Sequence, residues 1–223
     1  MTRRFHDRYE AGRALALELA RAVPERNALV LALPRGGVPV AYEVARALDW
    51  PLDVIVVRKV GLPGQPELAM GAVASGGARV ANEDVLALLA DPDSVFEQVA
   101  TRELAEVARR EALYRGDRPP LSVAGRTCVV IDDGLATGAT MEAAVLALRS
   151  LGAARIVAAA PVAAGSARVR LQRTADAVVC VSEPMWFQSV GQWYEDFDQT
   201  EDAEVERLLS ASGHLVGPQG TPC

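Results

Sequence analysis

Apolar residues follow two alternating patterns along this chain, one typical of buried strands and the other of amphipathic helices. Short runs of Val, Ile, Leu and Ala stop at Gly, Pro or charged residues, as strands buried on both faces of a sheet do. Apolar residues spaced three and four apart lie between these runs and indicate helices. The pattern predicts strands at 28–33, 53–57, 129–131, 156–161 and 177–181, and helices at 7–22, 38–48 and 166–173, with a further helix ending near 151.

The regular alternation of strand and helix favours an α/β fold with a doubly wound, mostly parallel sheet. We expect a single domain over residues 1–211. A charged helical stretch at about 82–116 interrupts the alternation and is interpreted as a helical insertion. The aromatic-rich, irregular segment at about 182–200 follows the last strand, and the Gly/Pro-containing end at 212–223 is expected to be disordered.

Two segments between the second and third strands have a different character. Residues 61–67 are rich in Gly and Pro, which predicts a mobile loop. Residues 70–74 and 79–81 are short apolar runs separated by a Gly-Gly pair, which predicts a β-hairpin. Lys59, just before the loop, is the only lysine among 23 basic residues.

Composition narrows the function classes. A net charge of −6 disfavours nucleic acid as a partner, because phosphate neutralisation needs a basic surface. No stretch is apolar and long enough to span a bilayer, and the amino terminus lacks the apolar core of a signal peptide. The three cysteines show no metal-ligand spacing, and a reducing cytoplasm fits them. We therefore expect a cytoplasmic protein, and the lack of a long apolar stretch predicts that it has no membrane partner.

The segment 129–141 is the most informative for function. A β-branched run ends in Asp132 and Asp133, and a small-residue Ala-Thr-Gly-Ala-Thr turn then leads into a helix. Such a turn lets backbone N–H groups and a helix N-terminus approach an anion, while two carboxylates suit hydroxyl groups or a hydrated cation. An acid before a helix can also be only a cap, but the full string is more specific than that. The lysine-containing phosphate loop of Walker-type nucleotide-binding proteins is absent.

This string resembles the phosphoribosyl-pyrophosphate (PRPP) signature of the type I phosphoribosyltransferases. The resemblance implies a transferase of that fold, with the segment 182–200 as a C-terminal hood over the acceptor. It also implies Mg²⁺ as cofactor, PRPP and a small nitrogenous molecule as substrates, and a homodimer. Asp132 and Asp133 would hold the ribose hydroxyls and the metal. The loop that would bind the 5′-phosphate consists of Ala136, Thr137, Gly138, Ala139 and Thr140.

Two further segments resemble parts of the same family's site. The Pro-Arg-Gly-Gly turn after the first strand is similar to the pyrophosphate loop, so Arg35 and Gly36 would contact pyrophosphate and a cis peptide is expected at or next to Arg35–Gly36. Lys59 and the loop after it resemble the flexible catalytic loop, which would give Lys59 a catalytic role on the leaving pyrophosphate. Glu67 would reach the base or orient that loop, or be a solvated carboxylate.

The sequence also departs from the family. Relatives that act on 6-oxopurines carry an Asp where this chain has Ala136, which places that chemistry in doubt and makes the loop more similar to the adenine type. The segment 183–194 resembles a bacterial branch described only as predicted phosphoribosyltransferases. Trp186 or Phe187 could stack on a planar acceptor, or both rings could simply pack the hood onto the sheet.

Other classes of function stay open on the sequence. A PRPP-binding regulator would keep the donor site without transferase turnover. A phosphatase or receiver-like protein could use acids at a strand end, but the Thr-Gly-x-Thr loop gives no reason for phosphoryl transfer to an Asp. An α/β partner domain would bind no ligand at all, and the three matched segments in the expected order argue against it.

Overall fold

The structure is a computed structural model that describes residues 4–120 and 122–213. The strands of this part are β1 (Leu29–Ala32), β2 (Leu52–Val54), β3 (Val57–Leu62), β4 (Gln65–Ala74), β5 (Ala78–Ala81), β6 (Thr127–Ile131), β7 (Arg155–Val162) and β8 (Ala177–Ser182). The α-helices are α1 (Arg8–Ala22), α2 (Gly37–Leu48), α3 (Glu83–Leu86), α4 (Pro92–Arg115), α5 (Ala139–Ser150), α6 (Gly165–Leu171) and α7 (Asp202–Ser212).

Five strands form a parallel sheet in the order β2-β1-β6-β7-β8. From β1 the chain first continues outward to β2 and later returns to β6 on the other side of β1. The strand order therefore reverses between β1 and β6, whose last residues, Ala32 and Ile131, are paired. A crevice at such a reversal, outside the carboxyl ends of the strands, is where open parallel sheets bind ligands.

Helices cover both faces of this sheet. Alternate strand residues point to opposite faces, so Val30 and Ile131 pack in the cluster that includes α1 and α2, whereas Leu31 and Val130 pack in the cluster that includes α5 and α6. All these side chains are fully or almost fully buried. The predicted α/β fold with a mostly parallel sheet is confirmed, while the domain limits stay a prediction.

The second sheet corrects two of the sequence-based expectations. The parallel strand β2 ends at Val54, and Val57 already begins the antiparallel sheet β3-β4-β5. The chain is diverted because Val56 donates its backbone N–H to Ser75 Oγ at 2.8 Å and accepts from the Ser75 N–H at 2.9 Å. The prediction of one strand at 53–57 was therefore wrong.

The segment 61–67, predicted as a mobile loop, forms a tight hairpin between the paired strands β3 and β4, with Gly64 at φ +85° in its turn. Glycine adopts this left-handed conformation without strain, so the same residues that indicated a loop also permit a two-residue turn. The predicted hairpin of 70–74 and 79–81 is confirmed.

The remaining segments follow the expected outline. The stretch 82–116 is helical, as α3 and α4, and packs on the small sheet and on α7. The segment 182–200, called the hood below, is irregular apart from a 3-10 turn at Gly191–Trp193. Most of the stretch 212–223 lies outside the described residues. No described helix has the length and apolar character needed to cross a membrane.

Candidate active site

Two turns meet where β1 and β6 end side by side. The first carries a cis peptide at Pro34–Arg35, adjacent to Arg35–Gly36 and so within the predicted position. The second turn begins with Asp132 and Asp133. A Cβ atom on Gly36 would collide with the Asp133 carboxylate, and one on Gly37 would lie 2.6 Å from the backbone oxygen of Ile131. Glycine is therefore required for the two turns to lie this close together.

Asp133 is held from several sides. Arg8, in the first turn of α1, donates from Nε to Asp133 Oδ2 at 2.9 Å. The side chains are only 11% and 15% exposed, so solvent screens this ion pair weakly. The Tyr194 hydroxyl donates to the backbone oxygen of Asp133 at 2.6 Å. Burial raises the pKa of Tyr194, which keeps its hydroxyl a donor.

The neighbouring carboxylate has fewer partners. Asp132 Oδ1 accepts the backbone N–H of Asp133 at 2.9 Å. Burial and the charge of Asp133 raise the pKa of the Asp132 carboxyl. Burial also raises the pKa of Asp133, while Arg8 acts in the opposite direction. The pair therefore favours a ligand that donates hydrogen bonds or brings a cation.

The loop of residues 136–140, called the anion loop below, is open to solvent and is anchored by the residue that precedes it. Leu135 donates its backbone N–H to Val162 at 2.9 Å and accepts from Ala164 at 2.8 Å. Gly138, at φ +73°, then turns the chain into α5. The loop residues with exposed side chains are Ala136, Thr137, Ala139 and Thr140. The N-terminus of a twelve-residue helix and two accessible hydroxyls thus lie together, an arrangement that suits a phosphate.

Arg35 contacts the C-terminal helix α7. Its Nη1 is 3.8 Å from Asp202 Oδ1, in the first turn of α7. Asp202 also accepts the Tyr114 hydroxyl at 2.9 Å. Asp202 and Tyr114 thus connect the C-terminal helix and α4 to the turn, a contact that no motif in the sequence predicts.

Lys59 lies within β3, on the hairpin, and not at the end of a strand of the parallel sheet. Its Nζ is 3.1 Å from Glu67 Oε2, across the β3–β4 pair. The placement of Lys59 after a parallel strand was wrong because the chain leaves that sheet at Val54. Lys59 and Glu67, which were expected on either side of a mobile loop, form an ion pair across this hairpin.

The two hood aromatics have different environments. Trp186 is 83% exposed, and within the described residues its backbone oxygen accepts a bond from Gln192 Nε2 at 3.2 Å. Phe187 is half-buried and packs in the cluster of Phe5 and Tyr194. Phe187 therefore packs within the hood, whereas the exposed Trp186 ring is available to contact another molecule.

The amino-terminal residues hold the hood through backbone hydrogen bonds and an arginine–aromatic contact. Phe5 donates its N–H to the Trp193 oxygen and accepts from Glu195, both at 2.8 Å. The guanidinium carbon of Arg8 lies 4.0 Å from the ring centroid of Phe197. Arg8 and Tyr194 are the functional candidates that sequence reasoning missed. Neither belongs to a local motif, and both reach the site through long-range contacts.

The acidic pair suits a Mg²⁺ ion held mainly by substrate. No group of three or more His, Cys, Asp or Glu side chains in residues 4–120 and 122–213 could hold a metal ion. Protein-bound Mg²⁺ commonly uses one or two carboxylates, keeps several waters and binds substrate phosphates. Asp132 and Asp133 supply the carboxylates for that mode.

Comparison with known proteins agrees with this geometry. A family model described as phosphoribosyl transferase domain matches residues 3–198. The chain belongs to this family. Two phosphoribosyl transferase relatives from Mycobacterium tuberculosis, strains CDC 1551 and H37Rv, both carry the name "Putative phosphoribosyl transferase". Each is 45% identical to this chain over 205 residues, which is 92% of this chain and 46% of the relative. The chain thus spans about half the length of these curated relatives.

A solved structure extends the comparison. The crystal structure of TT1426 from Thermus thermophilus is 46% identical, with a TM-score of 0.84. The match covers 92% of this phosphoribosyl transferase family member and 97% of TT1426. The fold described above is therefore shared with an experimentally determined structure over nearly its whole length.

Proposed function

We propose that the protein transfers the 5-phosphoribosyl group from PRPP to a nitrogenous acceptor and releases pyrophosphate, in a Mg²⁺-dependent reaction. The observation that carries the proposal is the position of the acidic pair and its anion loop. They lie at the strand-order reversal, directly against the Arg35–Gly36 turn. Family membership supports the same reaction class.

The anion loop and the acidic pair would bind the two ends of the ribose 5-phosphate. The exposed hydroxyls of Thr137 and Thr140 and the N-terminus of α5 would hold the 5′-phosphate. Asp132 and Asp133 would accept hydrogen bonds from the ribose hydroxyls and contact Mg²⁺. A bound Mg²⁺ would neutralise charge on the pyrophosphate oxygens.

The leaving group and the acceptor would lie on either side of the ribose. Arg35 would stabilise the pyrophosphate, whose negative charge increases as the glycosidic bond breaks. Lys59 would join it after exchanging its bond to Glu67 for one to the pyrophosphate. Trp186 would stack on a planar acceptor, with Phe187 holding the hood beneath it. Ala136 offers no general base at the position where 6-oxopurine enzymes have an acid, so the acceptor is expected to be of another type.

The decisive assay is pyrophosphate release with Mg-PRPP, measured against a panel of purines, pyrimidines and other ring nitrogens. One acceptor that gives release at a rate well above hydrolysis supports the transferase. PRPP binding without release for any acceptor favours a PRPP-responsive regulator. Absence of PRPP binding contradicts both.

Two variants test the roles of individual residues. Asp132→Asn should weaken PRPP binding by at least tenfold, since a carboxylate acceptor becomes an amide. Asp49→Asn is the matched control, because Asp49 is exposed, lies at the opposite end of α2 from the Arg35–Gly36 turn, and has φ 54°, where Asn is well tolerated. Lys59→Ala should lower turnover more than PRPP affinity, and equal losses would point to ground-state binding instead.

A further inference from the structure

Arg8 makes a set of contacts that joins the hood to the acidic pair. Its Nε donates to Asp133 Oδ2 at 2.9 Å, and its Nη1 donates to the backbone oxygen of Asp198 at 2.7 Å. Its guanidinium lies over the Phe197 ring at 4.0 Å. One planar group is thus fixed by a carboxylate, a backbone carbonyl and an aromatic face, which a flexible ammonium cannot reproduce.

These contacts determine which carboxylate oxygens are left for a ligand. Asp133 uses Oδ2 for Arg8, and Asp132 uses Oδ1 for the backbone N–H of Asp133. Among the described residues, Asp132 Oδ2 and Asp133 Oδ1 have no hydrogen-bond partner. The two acids therefore each present one oxygen, in orientations fixed by the bonds to the other oxygens.

Steric contact makes the orientation of Asp133 unusually strict. A Cβ on Gly36 would lie 2.8 Å from Asp133 Cγ and 3.4 Å from Arg8 Nε, so the carboxylate is enclosed between the turn and the guanidinium. Rotation of the carboxylate away from Arg8 would leave the guanidinium, which is 11% exposed, without its counter-charge. Arg8 and the turn thus hold one rotamer together.

We propose that Arg8 is a positioning residue for the donor site, which holds Asp133 so that Asp133 Oδ1 and Asp132 Oδ2 meet adjacent hydroxyl groups of a ribose phosphate. This inference rests on the proposed function, since it assigns Asp133 to the ribose. Arg8 acts through Asp133 and makes no contact with the ligand itself. Through Phe197 and Asp198 it also makes donor binding depend on the seating of the hood.

The test is the dissociation constant of Mg-PRPP, measured by titration calorimetry on the full chain. Arg8→Gln should weaken binding by at least tenfold, about 1.4 kcal/mol. Arg8→Lys keeps the positive charge but lacks the separate Nε and Nη1 donors. Its loss of Mg-PRPP affinity should lie between those of the wild type and Arg8→Gln. The matched control is Arg21→Gln on the same helix, whose exposed side chain pairs only with Glu18 among the described residues. It should bind as the wild type does.

A double-mutant cycle separates positioning from a general loss of structure or a direct contact. In the Asp133→Asn background, Arg8→Gln should change the dissociation constant by less than threefold, because the residue through which it acts is already altered. A full tenfold loss in both backgrounds would mean that Arg8 binds the ligand directly or only stabilises the fold, and would overturn the inference.

The two proposals fail in different ways. Wild-type protein that binds Mg-PRPP, together with an Arg8→Gln variant of unchanged affinity, overturns the positioning role and leaves the transferase proposal intact. Wild-type protein that binds no Mg-PRPP overturns both. If Arg8→Gln does not fold, Arg8→Lys carries the test, and wild-type affinity in that variant overturns the inference.

Discussion

A single added methyl group tests how closely the turn after β1 lies against the acidic pair. Gly36 has φ −58° and ψ −31°, a helical conformation open to every residue type. Gly36→Ala therefore adds no backbone strain, and its whole cost comes from the contact of the new Cβ with the Asp133 carboxylate.

The magnitude follows from two opposing contributions. Replacing Gly by Ala in a compatible conformation stabilises by about 0.4–1 kcal/mol through the unfolded chain. Forcing a methyl group into a packed site costs about 1–3 kcal/mol. The expected net loss is about 0–2.6 kcal/mol, with a midpoint near 1.3 kcal/mol, which corresponds to a fall in Tm of about 3–5 °C for a chain of this length. Because the carboxylate has to move, Mg-PRPP affinity should fall by about tenfold as well.

Thermal unfolding and calorimetric titration measure the two effects. Gly165→Ala is the control, because an added Cβ there meets no atom within 4 Å at the start of α6. It should leave affinity unchanged and Tm equal or slightly raised. A Gly36→Ala protein as stable as Gly165→Ala, with wild-type affinity, would refute the close packing of Gly36 on Asp133.

Two further predictions concern the body of the domain. Arg115→Met removes the guanidinium that lies 2.8 Å from the buried Asp53 carboxylate, and should cost about 3–5 kcal/mol in urea unfolding, whereas the exposed Arg21→Met should change little. Burial raises the pKa of both Cys128 and Cys180 to about 11. With the terminal cysteine replaced by serine, their reaction with a maleimide at pH 8 should be about 100-fold slower than that of an ordinary thiol, and rapid native labelling would contradict the burial of Cys128 and the partial burial of Cys180.

The sequence was most informative where function and backbone are encoded in one short string. The segment 129–141 contains a strand, two acids, a small-residue turn and a helix start in succession, so local physical chemistry suffices to predict its structure. The turn at Arg35–Gly36 likewise lies between a strand and a helix that its local sequence predicts. Because both follow strands of one parallel sheet, their meeting at a common edge could also be expected.

The hairpin was harder to predict because its pattern permits two structures. The stretch from 53 to 57, an aspartate followed by four apolar residues, fits one continuous strand as well as two strands that belong to different sheets. The choice depends on Ser75, whose side chain and backbone pair with Val56 from 19 residues away. Local periodicity does not encode that pairing, and so Lys59 was assigned to the wrong position.

The residues that contact the acidic pair could not be predicted from any local sequence pattern. Arg8 is separated from Asp133 by 125 residues, and Tyr194 by 61. Neither residue carries a sequence signal, because an arginine in a first helical turn and a tyrosine in an aromatic-rich segment are usual in many proteins. Their roles arise only when the amino-terminal segment pairs with the hood, through the bridge of Phe5 with Tyr194.

The long-range contacts of Arg8 connect the hood to the acidic pair. The structure of the segment 129–141 follows from its local sequence, whereas the positions of the hood and the amino terminus depend on contacts between residues distant along the chain. In this chain the hood is not an independent cover, since Arg8 contacts Phe197, Asp198 and Asp133 with one side chain. A substitution that reshapes the hood for a different acceptor would therefore also move the carboxylate that faces the donor. Under the proposed roles of the hood and the acidic pair, acceptor choice and donor affinity are expected to change together, with Arg8 as the residue that couples them.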